Sequence, residues 1–173
     1  MLILVSGGAA SGKSAFAEEL ITSSGIGRRV YLATMQVWDT ESRRRVERHR
    51  AMRAGKGFET VERPLDLAGA SLPAGSAVLL EDLTNLTANE FFSPQGPEGA
   101  LERLRAGLRR VSESSGLLVA VTGELFSDGT CYGPETQAYL DCLARLNRAA
   151  AAQAVAVYEV VCGLPVRWKG GRV

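Results

Sequence analysis

Residues 2–14 read LILVSGGAASGKS, and this stretch decides the fold. Its second part, Gly7-Gly8-Ala9-Ala10-Ser11-Gly12-Lys13-Ser14, matches the G-x-x-x-x-G-K-[ST] phosphate-binding loop in full, and an apolar run comes just before it. Glycine permits positive φ, which lets backbone N–H groups surround phosphate oxygens, and the helix expected next directs the positive end of its dipole at the same anion. We expect Lys13 to reach the β- and γ-phosphates of a nucleoside triphosphate and Ser14 to offer its hydroxyl to Mg²⁺. The alternative interpretation is a tight strand-to-helix turn with an incidental lysine.

Length and composition predict one globular domain over residues 1–173. The chain is 46% hydrophobic and 23% charged, which is typical of a soluble protein. Its 20 basic and 19 acidic side chains nearly balance, so bulk charge gives no reason to expect nucleic acid as a partner. Cys131, Cys142 and Cys162 show no C-x-x-C spacing and indicate reduced thiols. No leader segment and no apolar run near 20 residues is present, so we expect a cytoplasmic protein without a membrane span.

Apolar runs alternate with helical patterns along the chain. The predicted strands are 2–6, 30–34, 77–81, 117–122 and 155–161, with a short one at 165–169, and the predicted helices are 13–22, 40–54, 97–114 and 134–152. Strands this apolar are typical of a sheet covered on both faces. The order predicts an α/β fold, a mostly parallel sheet with helices on both faces and ligands at the carboxyl ends of the strands. The loops 89–97 and 126–134 could cover the nucleotide or admit a second substrate.

The third predicted strand ends in two carboxylates, Glu81 and Asp82. In enzymes with a phosphate-binding loop, an acid at this place helps to hold magnesium or polarises an attacking group. Strand alternation directs the two side chains to opposite faces, so both are not expected to serve the same ion. We favour Glu81 for the metal. The alternative interpretation is that these polar residues cap the following turn.

The only histidine, His49, lies in an arginine-rich helical segment. Arg45, His49 and Arg53 are spaced i, i+4 and i+8, which places them in one stripe on a helix face. Two neighbouring guanidiniums are expected to lower the pKa of the imidazole and keep it neutral, and guanidiniums suit phosphate oxygens. A neutral imidazole in this setting could attack an α-phosphate and form a nucleotidyl-histidine. The residues alone leave open a solvated basic helix with an ordinary histidine.

Taken together, these motifs resemble the bifunctional adenosylcobinamide kinase/adenosylcobinamide-phosphate guanylyltransferase family of cobalamin biosynthesis. The segments that carry the resemblance are 3–9, 11–14, 31–34, 45–49 with Arg53, 58–62 with Pro64, 79–84, 139–141 with Asn147, and 163–166. They extend from Met1 to about Lys169. The helix with Arg45, His49 and Arg53 is far more specific to the family than the phosphate-binding loop.

The resemblance implies a P-loop NTPase-type, RecA-like fold and two activities. A nucleoside triphosphate, GTP or ATP, phosphorylates adenosylcobinamide, and GTP then guanylylates a histidine that passes GMP to the new phosphate. It implies that His49, Lys13 and Glu81 are catalytic and that Ser14 and Glu81 hold Mg²⁺. The implied nucleotide-binding residues are Gly7, Gly8, Ala9, Ala10, Ser11, Gly12, Lys13, Ser14, Thr34, Arg45, Arg53, Glu62 and Glu81. The implied partners are the corrinoid substrate and further copies of the chain in a homo-oligomer.

The chain departs from the family pattern at two positions. Gly123 stands where the family usually has asparagine, and Gln137 stands where a basic residue is common. Either change could weaken one of the two half-reactions. Two other hypotheses therefore remain beside the family function: a kinase of another small alcohol without covalent nucleotidylation, and a nucleotide-binding regulatory module without catalysis.

Overall fold

A seven-stranded sheet organises the chain. The computed structural model describes residues 1–36, 40, 44, 46–47, 51, 53–126 and 129–171. The strands are β1 (Leu2–Gly7), β2 (Arg29–Ala33), β3 (Phe58–Glu62), β4 (Ala77–Glu81), β5 (Leu117–Gly123), β6 (Ala156–Val161) and β7 (Leu164–Lys169). They lie in the order β3-β2-β4-β5-β1-β6-β7. The neighbouring pairs from β3 to β6 are parallel and β7 is antiparallel to β6, which confirms the predicted mostly parallel sheet.

Helices cover both faces of the sheet, as predicted. They are α1 (Lys13–Thr22), α2 (Leu83–Phe91), α3 (Ala100–Ser114) and α4 (Pro134–Gln153), with a 3-10 turn at Leu67–Gly69. Helix α1 packs in one apolar cluster with one face of the sheet, whereas α2, α3 and α4 contribute to the cluster on the other face. No helix in the described part of the chain combines the length and apolarity needed to cross a bilayer.

The sequence patterns explain why these elements form where they do. All five residues of β4 are buried, as expected for a central parallel strand with both faces covered. Helix α3 buries an i, i+3, i+7 and i+10 stripe of Leu101, Leu104, Leu108 and Val111. Helix α4 begins with Pro134, whose fixed φ suits the first helical turn.

Two elements of the structure were not predicted, and one predicted helix begins later than expected. Residues 58–62 form the edge strand β3, which was not predicted because its side chains are half-buried or exposed and lack a continuous apolar run. Helix α2 was not predicted because it begins a single residue after β4. The helix predicted at 97–114 begins at Ala100, since Gly99 has φ +72° and the Ala100 N–H closes a turn on the Pro97 carbonyl. In the predicted segment 40–54, the described residues Thr40, Arg44, Val46, Glu47, Ala51 and Arg53 are helical.

Candidate active site

The glycine-rich loop joins the end of β1 to the start of α1. Gly7 has φ +158° and Gly12 has φ +94°, and α1 begins directly after Gly12. A Cβ on Gly7 would lie 2.6 Å from the Ser11 Oγ and 2.7 Å from the Val160 carbonyl oxygen. A side chain at Gly7 would therefore clash with these atoms, and the backbone conformation of Gly12 strongly favours glycine.

Neighbouring strands and turns support this loop from outside. The Glu124 N–H donates to the Gly7 carbonyl at 3.1 Å, and the Gly163 N–H donates to the Ser11 carbonyl at 2.8 Å. Within the loop, the Lys13 ammonium donates to the Gly8 carbonyl at 3.0 Å. The lysine thus lies over the curve of the loop, where a phosphate would meet a positive charge.

Glu81 and Asp82 serve different sides of the sheet. The Ser14 hydroxyl donates a short hydrogen bond to the Glu81 Oε1, which brings the loop and the acid after β4 into direct contact. Asp82 instead accepts the Asn85 N–H at 2.7 Å and caps α2. The two carboxylates therefore have different partners, although Asp82 lies just beyond β4 and is joined to Glu81 by a cis peptide bond.

A buried tyrosine, Tyr31, lies beside Glu81. Tyr31 faces Leu79 across the β2–β4 pair and Ala33 faces Glu81, so Tyr31 and Glu81 are diagonal neighbours on one face. Burial raises the pKa of Tyr31 far above its usual range, the Glu81 charge and a hydrogen bond to its carboxylate raise it further, and the Arg53 guanidinium opposes the shift. The phenol therefore stays protonated beside the Glu81 carboxylate.

Arg53 lies on top of this tyrosine. Its guanidinium carbon is 3.2 Å from the centroid of the Tyr31 ring, and the side chain is buried. Its Nη1 has no hydrogen-bond partner in the described part of the chain. Arg53 also lines an open cleft of about 480 Å³ together with Gly57, Phe58 and Thr60.

Thr34 and Glu62 occupy different environments at the carboxyl ends of the strands. The Thr34 hydroxyl is fully buried, donates to the Glu81 and Asp82 carbonyls at 2.9 and 3.0 Å, and accepts the Asp82 N–H at 2.8 Å. It therefore joins β2 to β4 through backbone groups. Glu62 is exposed and pairs with Ala33 from the side opposite Glu81, so the two acids lie two strand spacings apart, about 9–10 Å.

His49 and Arg45, the residues predicted to carry the covalent chemistry, lie outside the described residues. Of the predicted stripe, the structure places Arg53 alone. The sequence prediction did not include Tyr31 in the site, although its position two residues before Ala33 on an apolar strand places it on the same face. The sequence prediction also did not place Gly163 at the site. Gly163 lies far from the loop in the sequence, and no local pattern indicates that its N–H bonds the Ser11 carbonyl.

The Gly123 position has a structural partner in this chain. The Gly123 N–H donates to the Thr84 Oγ1 at 2.8 Å, and a Cβ added to Gly123 would lie 3.1 Å from the same oxygen. Thr84 thus fills the space beside the glycine. Gln137, the other departure, is bonded through its Nε2 to Asp141 at 3.2 Å on the exposed side of α4.

The sheet, the glycine-rich loop after β1 and the helix that follows it define the class of P-loop nucleoside triphosphatases with a RecA-like fold. The chain is similar to the flagellar accessory protein FlaH from Methanocaldococcus jannaschii, with a TM-score of 0.53 and 10% identity over 98% of this chain and 78% of that one. It is also similar to a prototypical ATPase from the type III secretion system of pathogenic bacteria, with a TM-score of 0.54 and 10% identity over 96% of this chain and 56% of that one. Likenesses at such low identity show the fold alone.

Within this class, the family follows from the sequence comparisons. Residues 3–168 match the family model described as cobinamide kinase / cobinamide phosphate guanyltransferase, and the chain belongs to this family. The bifunctional adenosylcobalamin biosynthesis protein CobP of Pseudomonas aeruginosa is 35% identical over 172 residues, covering 96% of both chains. The bifunctional protein CobU of Escherichia coli is 34% identical over 187 residues, covering 98% of this chain and 100% of the relative. The resemblance and the enzyme class inferred from the sequence are confirmed.

Proposed function

We propose that this protein phosphorylates adenosylcobinamide and then transfers GMP to the phosphorylated product through a guanylyl-histidine at His49. The observation that carries the proposal is the contact between Ser14 and Glu81 at the end of the glycine-rich loop, in a chain that matches the cobinamide kinase family over nearly its whole length. This contact joins the two groups that a phosphoryl-transfer site of this class needs.

In the first reaction, the hydroxyl oxygen of the aminopropanol arm attacks the γ-phosphorus of GTP or ATP. A new P–O bond forms, the bond to the β–γ bridging oxygen breaks, the nucleoside diphosphate leaves, and the hydroxyl proton passes to solvent. Backbone N–H groups from Gly8 to Ser14 surround the phosphates. Lys13, which now bonds the Gly8 carbonyl, would exchange this contact for phosphate oxygens.

The oxygen atoms of Ser14 and Glu81 suit a magnesium ion. A hydroxyl and a carboxylate in contact are hard oxygen donors, and Mg²⁺ in nucleotide sites takes one or two protein ligands and completes its shell with phosphates and water. The described residues contain no group of three or more His, Cys, Asp or Glu side chains able to hold a metal, which agrees with a site that needs the nucleotide. When bound, Mg²⁺ neutralises charge that develops on the phosphates.

In the second reaction, the His49 imidazole attacks the α-phosphorus of GTP. A P–N bond forms, the bond to the α–β bridging oxygen breaks, and pyrophosphate leaves. A phosphate oxygen of adenosylcobinamide phosphate then attacks the same phosphorus, the P–N bond breaks, and adenosylcobinamide-GDP is released. The proposed guanidinium partners are Arg45 and Arg53. The buried Arg53, with a nitrogen that has no partner among the described residues, supports an anion nearby.

The proposal includes a cytoplasmic homo-oligomer. Strand β7 forms an edge of the sheet, and all its residues are exposed, among them Leu164 and Trp168 at 70% each. Exposed apolar edge strands are surfaces that proteins commonly cover by association. Light scattering of the purified protein measures its mass, and a monomer at micromolar concentration would contradict this part.

The covalent step is tested by intact-protein mass spectrometry after incubation with GTP and Mg²⁺. We expect the addition of one GMP, lost in acid and stable in base as for a phosphoramidate, and located at His49 by peptide mapping. His49→Ala should abolish the adduct. An unchanged yield in that variant would remove the guanylyl-histidine from the proposal, and turnover of ATP on other alcohols without an adduct would favour a different kinase.

The kinase step has a matched pair of variants in adjacent acids. Glu81→Gln is expected to lower cobinamide phosphorylation by at least about a hundredfold, because it removes the proposed carboxylate ligand. Asp82→Asn makes the same chemical change one residue later but keeps a side chain that caps α2, so its activity should stay near wild type. Equal losses in both variants would argue against a specific role for Glu81.

A further inference from the structure

We propose that Tyr31 is a positioning residue that orients the Glu81 carboxylate toward Ser14, and that Arg53 keeps the Tyr31 ring in place for this task. The inference rests on the proposed role of Glu81 at the magnesium–nucleotide site. Tyr31 lies on β2, which neighbours β4 in the sheet, whereas the glycine-rich loop lies between β1 and α1.

The geometry of the strand pair supports the first part. Tyr31 and Glu81 project from the same face of neighbouring strands in diagonal positions, and both side chains are buried. Glu81 receives the Ser14 hydroxyl on Oε1. In the proposed role, the Tyr31 hydroxyl donates to the same carboxylate and restricts its rotation, so Ser14 and Glu81 are already oriented when a metal binds.

The packing around Tyr31 supports the second part. Arg53 covers the ring face at 3.2 Å, so the ring is held between the guanidinium and the sheet. Because the phenol is also buried, rotation of the ring away from Glu81 would require both the stacking and the burial to be lost. Arg53 lies next to the cleft and four residues after His49, so this contact also links the proposed histidine segment to Glu81.

The test measures how magnesium tightens the binding of a fluorescent, non-hydrolysable GTP analogue. Tyr31→Phe keeps the ring and the stacking but removes the hydroxyl. We expect the Mg²⁺ concentration for half-maximal tightening to rise about tenfold, while affinity for the analogue in EDTA stays unchanged. For cobinamide phosphorylation, kcat should fall and the KM for cobinamide should stay the same.

Tyr158→Phe is the matched control. Tyr158 is also buried on the α1 side of the sheet, where its ring meets Phe16 edge-on at 5.0 Å, but its strand β6 lies three strands away from β4 and Glu81. The magnesium requirement of the Tyr158→Phe variant should equal that of the wild type.

A wild-type magnesium requirement in Tyr31→Phe would overturn the inference. If Tyr31→Phe lost as much affinity for the analogue in EDTA as with Mg²⁺, the inference would also be overturned, because the hydroxyl would then contribute to nucleotide binding without magnesium. The magnesium titration uses no cobinamide, so it tests the role of Tyr31 even if the wild-type protein phosphorylates another alcohol. Failure of the wild type to phosphorylate cobinamide would instead count against the proposed function.

Discussion

The ion pair between Glu18 and Lys56 gives the sharpest stability prediction. Glu18 lies on α1 with a side chain that is 1% exposed, and its Oε2 lies 2.5 Å from the ammonium of Lys56, whose side chain is 41% exposed. The other oxygen, Oε1, has no hydrogen-bond partner in the part of the chain that the structure describes. Lys56 is therefore the main group that balances a buried negative charge.

We expect Lys56→Met to lower the free energy of unfolding by about 2–3 kcal/mol. Removing one partner of a fully buried pair costs about 3–5 kcal/mol, and the half-exposed lysine means that water can reach part of the carboxylate in the variant. In a chain of this size, such a loss corresponds to a fall in Tm of about 4–12 °C. The Arg29 Nη1 donates to the Lys56 carbonyl at 2.7 Å, which holds the backbone in place when the side chain is changed.

Urea unfolding followed by circular dichroism measures this effect in a double-mutant cycle. Glu18→Gln combined with Lys56→Met leaves no charge at these two positions. The double variant should therefore be more stable than Lys56→Met alone, with a coupling energy of at least about 1 kcal/mol. A loss below about 0.5 kcal/mol in Lys56→Met, or additive effects in the double variant, would refute the reasoning.

Two further predictions concern the cap of α2 and the thiols. Asp82→Ala should destabilise the protein by about 1 kcal/mol in urea unfolding, because α2 loses its N-cap, whereas Asp82→Asn should cost little; equal losses would show that capping is not the cause. Burial raises the pKa of Cys142, so at pH 8 its thiolate fraction is small and the thiol is shielded. A maleimide should therefore modify the exposed Cys131 and Cys162 in the native protein and reach Cys142 only after unfolding; mass spectrometry that found similar rates at all three would contradict this.

The sequence was sufficient where local chemistry determines structure. Helix α1 has the predicted bounds, Lys13–Thr22, because the glycine-rich loop fixes its start. Glu81 and Asp82 were predicted to serve different roles, and one carboxylate contacts Ser14 while the other caps α2. The start of α1 and the cap of α2 depend on neighbours in the chain, which a sequence displays directly.

The sequence was insufficient where contacts join distant segments. Strand β3 carries Glu59, Thr60 and Glu62 on an edge, so its pattern lacks the apolar run by which buried strands are found. The stacking of Arg53 on Tyr31 joins two segments that no motif connects. The covalent role of His49 stays a prediction, because that residue lies outside the described part of the chain.

Segments that come late in the chain support the glycine-rich loop, and this has a consequence for the order in which the protein folds. The loop follows β1, which lies between β5 and β6 in the sheet, and the Ser11 carbonyl accepts the Gly163 N–H. Because β5, β6 and Gly163 all follow β1 in the chain, the loop gains these contacts only after the segment up to Gly163 has been synthesised. A nucleotide that binds the folded loop and not the unfolded chain can therefore stabilise the protein only after these late contacts have formed.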